Sequence, residues 1–331
     1  MKILITGSLG LVGSEAVKYY LTNNATVIGV DNNMRKHFFG KEASVLKNKI
    51  DHRSYTHYGI DISKTENLIK EEKPDVIIHC AAQPSHDYSA QEPLIDFGIN
   101  AYSTLMLLEF VRNHCPHCIF VYTSTNKVYG DWPNHFGYKE TDTRFVPTDD
   151  SPIKNGVHEM FPIENCMHSP FGVSKLAGDL YCQEYARYFN IRTGIFRCGC
   201  VTGAAHAGAK LHGFLSYMVR CKKEKKEYTV YGYQGKQVRD QIHASDLVRA
   251  MDCFVREPKM GQIYNMGGGN HCNISVIEAL NWLKMKNWAY ESEPRRGDHK
   301  WYVSDISKFK KDYPEWDYQY NTWSIMEDLM A

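Results

Sequence analysis

Residues Ile5–Val17 read ITGSLGLVGSEAV, an apolar strand-like run that opens into three glycines, Gly7, Gly10 and Gly13, and then into a helical pattern. Glycine at these places lets the backbone turn tightly, approach a diphosphate closely and pack helix against sheet. The helix N-terminus adds free N–H groups and the positive end of its dipole. A glycine triplet alone is a weak signal. Its context here is a strand before, a helix after, and Asp31 at the end of the next apolar run, 18 positions beyond Gly13. A carboxylate so placed takes ribose hydroxyls. It also repels the additional phosphate of NADP, so the pattern points to NAD, with Arg35 the nearby cation that weighs the other way.

The alternation continues beyond this unit. Strand-like runs at Lys2–Ile5, Thr26–Val30, Asp75–Ile78 and Cys118–Thr123 alternate with helical stretches at Ser14–Leu21, Ile62–Glu71 and Ala101–Asn113. Such alternation marks an α/β fold with a doubly wound parallel sheet. After Lys175 come a helix to about Tyr188, a strand at Arg192–Arg197 and a mixed half with glycine-rich loops near Gly203–Gly213, Gly232–Gly235 and Gly267–Gly269. We expect a Rossmann-type domain over residues 1–190, to which some later segments return. A smaller C-terminal α/β substrate-binding lobe is expected over 191–331, sharing one crevice with it. Asp131–Asn165, rich in Pro, Asp and Asn, is a long excursion of the kind that serves active sites.

With 39 Lys+Arg against 38 Asp+Glu, the chain carries no field that would hold nucleic acid, and an anion site has to be local. KKEKKE, Lys222–Glu227, reads as a solvated helix end. No leader-like segment stands before the first strand and no apolar run reaches bilayer-spanning length, so the expectation is a cytoplasmic protein without membrane contact. Ten scattered cysteines read as reduced thiols. His114-Cys115-Pro116-His117-Cys118 resembles half of a metal site but has no second cluster at ligand spacing. It reads as a helix end leading into a strand, and no metal is expected.

The spacing of Gly7, Gly10 and Gly13, the pair Asp61-Ile62, the segment His79-Cys80-Ala81-Ala82-Gln83, Asn100, STNKVYGD at Ser124–Asp131 and the segment around Lys175 resemble the extended short-chain dehydrogenase/reductases of the NAD-dependent epimerase/dehydratase family. The resemblance runs nearly end to end. It implies NAD held by Gly7, Leu9, Gly10, Leu11, Val12 and Gly13, by Asp31 and Asn32, by Asp61 and Ile62 on the adenine side, and by Ala81, Ala82, Gln83, Asn100 and Lys175, the last reaching the nicotinamide ribose. Helices Ala101–Asn113 and Phe171–Tyr188 correspond to the pair that forms a four-helix bundle between subunits in many members, which implies a homodimer.

Within the family, STNKVYGD together with GKQVRD at Gly235–Asp240 is the specific part of a resemblance to the CDP-paratose 2-epimerase branch. Members act on nucleotide-linked deoxyhexoses. Such a substrate carries two negative charges on its diphosphate, which guanidinium groups meet. The resemblance puts Arg239 and Arg296, with Asp298 beside the latter in RRGDH, at the diphosphate and nucleotide ribose. His86, Asn126, His168, Cys200, His206 and His212 are further candidates for contact with the sugar nucleotide. His206 and His212 read equally well as ordinary surface histidines, and Cys198 and Cys200 as packing residues. Asp246 in HASDL reads as a structural residue at a helix start.

HSPFGVSK, His168–Lys175, carries a departure from the family. Phe171 and Lys175 lie four apart, on one helix face. Relatives carry Tyr at the first position, where the Lys ammonium favours the phenolate that takes a sugar hydroxyl proton. Phe keeps the ring and removes the oxygen. Three readings stay open: an engineered Tyr-to-Phe trap, a working oxidoreductase whose proton acceptor lies elsewhere, or a nucleotide-sugar-binding protein without turnover. Under the second, Thr125 aligns with the family's catalytic Ser/Thr, Lys127 serves as a base if burial lowers its pKa, and His86 and His168 need no such shift. The catalytic set so implied is Thr125, Lys127, Lys175 and Phe171 at the tyrosine position. The function implied is an NAD-dependent nucleotide-sugar epimerase, with a dehydrogenase or dehydratase and a non-catalytic binding protein as alternatives.

Overall fold

The computed structural model describes residues 1–206 and 213–331. Strands β1 (Lys2–Thr6), β2 (Thr26–Val30), β3 (Tyr55–Tyr58), β4 (Val76–His79) and β5 (Ile119–Thr125) join two later strands, Arg192–Cys198 and Gln262–Met266, in one seven-stranded sheet. Every pairing is parallel, and the order is Gln262–Met266, Arg192–Cys198, β5, β4, β1, β2, β3. Ile3-Leu4-Ile5 and Val76-Ile77-Ile78 are buried without interruption, as strands covered on both faces must be. Chain order reverses between β1 and β4, and the crevice beyond the strand ends at such a point is where ligands bind.

Helices cover the two faces. Helix α1 (Leu11–Thr22) and the later helix Ala244–Arg256 pack Ala16, Val17, Leu247, Met251 and Phe254 against Ile3, Ile5 and Val27. On the other face Leu107, Leu108 and Val111 meet Leu4, Ile28 and Ile77. Phe309, Tyr313 and Trp316 also pack with the first group, so several segments beyond residue 190 lie with the large sheet. The remainder forms a second sheet of Asn273–Ser275, Val238–His243 and Trp301–Tyr302, with Cys200–Thr202 paired to Val238–His243. Beside it stand a parallel pair, Tyr228–Tyr231 with Trp288–Glu291, and a core of Leu215, Met218, Val230, Ile274 and Leu280.

Pro93–His114 is one continuous helix with a π-helical turn at Gly98–Tyr102. The helix has 22 residues and an 18-residue window within it has a mean hydropathy of 1.3, long and apolar enough to cross a membrane, which corrects the expectation that no run reaches that length; half of that window is buried in the protein, as in the core helix of a soluble fold. Its first half exposes Leu94, Ile95, Phe97 and Tyr102. The helix Pro170–Phe189 begins with Pro170 after Ser169, whose hydroxyl accepts from the Gly172 N–H, and stops at left-handed Asn190. It exposes Val173, Leu180, Tyr181 and Tyr188.

The excursion Asp131–Asn165 folds into a 3₁₀ turn, Trp132–His135, and a hairpin of Tyr138–Glu140 and Phe145–Pro147, and packs Ile153, Val157 and Phe161 on Trp301, Tyr302 and Val303. None of these residues lines the large cavity. Its service to the site is indirect: Asn134 Nδ2 donates to the Asp298 carbonyl at 2.8 Å, and its Oδ1 accepts from the Lys300 N–H at 2.7 Å. All ten cysteines are free thiols, and the described residues contain no cluster of three or more metal-ligating side chains.

Candidate active site

A cavity of about 510 Å³ opens beyond the C-terminal ends of β1, β2, β4 and β5. At its inner wall Gly7 has φ +67°, and a Cβ there would stand 2.7 Å from the Ala81 nitrogen; at Gly13 it would stand 2.1 Å from the Gly7 carbonyl oxygen. No side chain fits either place. Helix α1 has no side-chain cap and no acidic residue in its first turn. Its leading N–H groups therefore face the wall made by Gly10, Leu11, Val12 and Gly13, a cradle that fits a diphosphate. The Asp31 carboxylate accepts from the Leu9 N–H at 3.0 Å and the Asn33 N–H at 2.7 Å, which fixes it on the wall beside Asn32, Asp61 and Ile62. Asn32 Nδ2 donates to Asp61 at 3.0 Å. Ala81, Ala82 and Arg35 also line the cavity, Arg35 lying 4.7 Å over the Phe39 ring.

Leu9, Gln83 and Asn100 stand behind the wall instead of lining it. Gln83 Nε2 donates to Asp96 at 2.6 Å and the Gln83 N–H to Asn100 Oδ1 at 2.9 Å. Asn100 Nδ2 donates in turn to the Gln83 carbonyl at 2.9 Å and to the Ser174 hydroxyl at 3.1 Å. This buried polar knot joins the loop after β4 to both long helices.

At the middle of the cavity β5 delivers Thr125, Asn126 and Lys127 into a 3₁₀ turn, where Thr125 Oγ1 accepts from the Lys127 N–H at 3.3 Å. Lys175 Nζ donates to the Thr123 carbonyl at 2.6 Å and lies 4.1 Å over the Tyr122 ring; burial brings its pKa down to about 8. Phe171, one turn earlier, packs on His86 with ring centroids 4.9 Å apart and planes at 57°. Lys127 Nζ donates to the Gly297 carbonyl at 2.8 Å. Burial first, then Arg239 and Arg295, bring the Lys127 pKa to about 8, with Asp298 opposing. Burial holds the Cys198 and Cys200 thiols up at about 12 and about 11, so they line the cavity as protonated groups and not as nucleophiles.

The far end rests on strand alternation. Gln237, Arg239 and Gln241 face the cavity while Val238 and Asp240 turn into the core. Arg239 pairs with Asp298. Burial alone would raise the Asp298 carboxyl, but Arg239, Lys127 and Arg295 hold it well below the usual range. Arg295 lines the cavity and meets Asp87 at 3.1 Å, whereas Arg296 is exposed and outside the lining. His206 lines the cavity with Nδ1 3.0 Å from the Ser216 hydroxyl, and burial, then Arg35, push its pKa to about 3. His212 lies outside the described residues. His168 is not part of the lining; its Nε2 meets the Val128 carbonyl at 2.8 Å. Asp246 receives the N–H groups of Gln319 and Tyr320 at 3.1 Å and clamps the C-terminal segment onto a helix start. Tyr217, Tyr228, Tyr231 and Gln237 also line the cavity and belong to no motif quoted above except that Gln237 lies in GKQVRD; the period of two through Arg239 is the signal that finds Gln237.

A glycine cradle at the switch point, faced by a threonine and a buried lysine, is the architecture of an extended short-chain dehydrogenase/reductase. Residues 3–267 match the NAD dependent epimerase/dehydratase family. The chain is 32% identical over 321 residues to CDP-paratose 2-epimerase of Salmonella typhi, spanning 93% of this chain and 92% of that protein. It is 27% identical over 330 residues to dTDP-glucose 4,6-dehydratase 1 of Escherichia coli K12, spanning 93% and 86%. Its fold is similar to UDP-glucose 4-epimerase of Thermotoga maritima, with a TM-score of 0.80 at 24% identity over 100% of this chain and 96% of that one. UDP-glucuronic acid 4-epimerase from Bacillus cereus gives 0.77 at 24% over 100% and 98%. The chain belongs to the NAD-dependent epimerase/dehydratase family of extended short-chain dehydrogenase/reductases, and its cofactor is NAD.

Proposed function

We propose that the protein is a cytoplasmic nucleotide-sugar epimerase, similar to CDP-paratose 2-epimerase, that oxidises one sugar carbon to a transient ketone and reduces it again from the other face. One observation carries this reading: the glycine cradle, the Thr125–Lys175 pair and the cationic end of Arg239, Lys127 and Arg295 open into a single cavity. Bound NAD supplies the two-electron acceptor, which an epimerase regenerates in every turnover. The cradle and Asp31 hold the dinucleotide, and Lys175 positions its nicotinamide ribose. Arg239, Lys127 and Arg295 meet the substrate diphosphate, which orients the sugar toward Thr125, whose hydroxyl aligns the reacting sugar hydroxyl.

Denaturing the purified protein and identifying released nucleotides by mass spectrometry tests the binding half. NAD(H) together with a CDP-sugar is the expected result. NMR of CDP-linked deoxyhexoses incubated with the protein then tests the chemistry, with inversion at one carbon expected. Release of a ketosugar with accumulation of NADH would establish a dehydrogenase instead. Bound nucleotide sugar without any conversion would establish a binding protein.

A further inference from the structure

We propose that His86 is the proton acceptor of the reaction, taking the sugar hydroxyl proton in place of the oxygen that Phe171 lacks. The inference rests on the function proposed above. It begins from placement: the His86 ring lines the cavity and packs directly on Phe171, 4.9 Å between centroids. His86 thus stands beside the ring that carries the hydroxyl in relatives.

The other candidates have different places. Lys175 and Lys127 serve the nicotinamide ribose and the substrate diphosphate while each Nζ also donates to a carbonyl, of Thr123 and of Gly297, and His168, whose Nε2 meets the Val128 carbonyl, stands outside the cavity lining. Among the described residues, the Nδ1 atom of His86 has no hydrogen-bond partner although it is buried. A buried ring nitrogen left unpaired costs about 1–3 kcal/mol and calls for an explanation, and a substrate hydroxyl, met by a turn of the imidazole toward the cavity, is the partner inferred here.

The surroundings hold the ring in place and uncharged. His86 starts a short helix capped by Ser85, whose hydroxyl accepts from the Tyr88 N–H at 3.1 Å. The Ser85 N–H donates to Gln83 Oε1 at 2.5 Å, so the polar knot of Gln83, Asp96 and Asn100 fixes the backbone from which the imidazole projects. Burial, then the Lys127 and Arg295 charges, push the ring's pKa to about 3. A substrate diphosphate compensates those two cations, and the imidazolium that forms during the reaction is then tolerated. In the step itself Nδ1 would take the proton of the sugar O–H bond as the carbon–oxygen double bond forms, and NAD held by the glycine cradle would supply the acceptor for the hydrogen that leaves carbon with its bonding pair, as a hydride. The return step reverses each movement on the other face of the ring.

The test uses the full-length protein with its co-purified NAD and a panel of CDP-, dTDP-, GDP- and UDP-linked hexoses. His86→Gln is expected to slow reduction of the bound nicotinamide, read at 340 nm, by about 10²–10⁴-fold, with affinity for the nucleoside diphosphate alone, by calorimetry, unchanged. His86→Gly is expected to recover rate on addition of imidazole. Independently of turnover, ¹⁵N NMR of the parent is expected to show the His86 Nδ1 resonance shift with the sugar nucleotide and not with the nucleoside diphosphate alone. A parent that reduces NAD while His86→Gln does so equally fast, an unmoved Nδ1 resonance, or a glycine variant that imidazole leaves unchanged, overturns the role of His86 and leaves the proposed function standing. A parent that neither binds any of these sugar nucleotides nor shows reduction of its NAD by any of them overturns both.

Discussion

Asp179 and Arg197 form an ion pair that is buried on both sides, with Nε at 2.9 Å from one carboxylate oxygen and Nη2 at 3.1 Å from the other. It lies directly behind the end of β5. Ser124 Oγ donates to Asp179 at 2.6 Å, and Arg197 reaches the Tyr129 hydroxyl at 3.1 Å, so the residues flanking Thr125 and Lys127 hang on this pair.

Breaking the pair from either side leaves an uncompensated charge out of water. Asp179→Asn or Arg197→Met is expected to destabilise the fold by about 3–5 kcal/mol. The joint change Asp179→Leu with Arg197→Met is expected to cost less than the sum. Urea denaturation of the three variants checks this.

The two active-site lysines make stability rise on the alkaline side of neutrality. Lys127 and Lys175 have folded pKa values of about 8 against an ordinary 10.5. The folded state thus binds fewer protons than the unfolded chain, and a penalty that is full below pH 8 is relieved as the pH climbs toward 10.5. The gain between pH 7 and 9 is on the order of 1 kcal/mol for each lysine. Cys80, Cys198 and Cys272, with burial first holding these thiols up at about 12, and Cys200 at about 11 work in the opposite direction from about pH 8 upward, as the thiols of the unfolded chain ionise. Between pH 7 and 9 the parent should gain stability relative to Lys127→Met by on the order of 1 kcal/mol, the thiol contribution being common to both, and urea denaturation of the two at pH 7, 8 and 9 checks this.

Leu94 is 87% exposed and Tyr188 73%, on the two helices that also present Phe97, Leu180 and Tyr181. Apolar faces of this kind on neighbouring helices are expected to meet those of a second copy. Light scattering at micromolar concentration should give twice the 38.1 kDa of one chain. Phe97→Asp with Leu180→Asp should give the single chain without loss of the folded signal.

Phe171→Tyr separates a native phenylalanine from an engineered one. The ring is buried against His86, and an added hydroxyl crowds the imidazole. Turnover is expected to stay within about tenfold of the parent or to fall; a rise of about 10²-fold or more would return the chemistry to position 171.

The dinucleotide half was legible because its constraints are local. Gly13 is forced by the backbone of Gly7 and Ser8 in the same turn and Gly7 by its positive φ, although the close approach of Ala81 at Gly7 comes from the far end of β4, and Asp31 follows from one strand's length. Orientation was not legible. Gln83 and Asn100 belong to motifs at the cofactor, yet their amides turn inward to Asp96 and Ser174. Arg295 and Arg296 are neighbours, and only the path of their loop decides which faces the cavity. His168 was a fair candidate by chemistry until the Val128 carbonyl claimed its Nε2. The Asp179–Arg197 pair joins residues 18 apart whose burial only the packed sheet creates.

The π-helical turn at Gly98–Tyr102 puts one supernumerary residue into the helix that carries Asn100. Removing a residue there restores an α-helix and turns everything before it by about 100°. Leu94 and Phe97 would then point along a new azimuth while Ser103–His114 stayed docked on the sheet. The exposed apolar face and the segment that leads back to His86 are in this sense phased by a single peptide unit, so an insertion or deletion within these five residues acts as a change of angle, felt at once by the outer face and by the cavity wall.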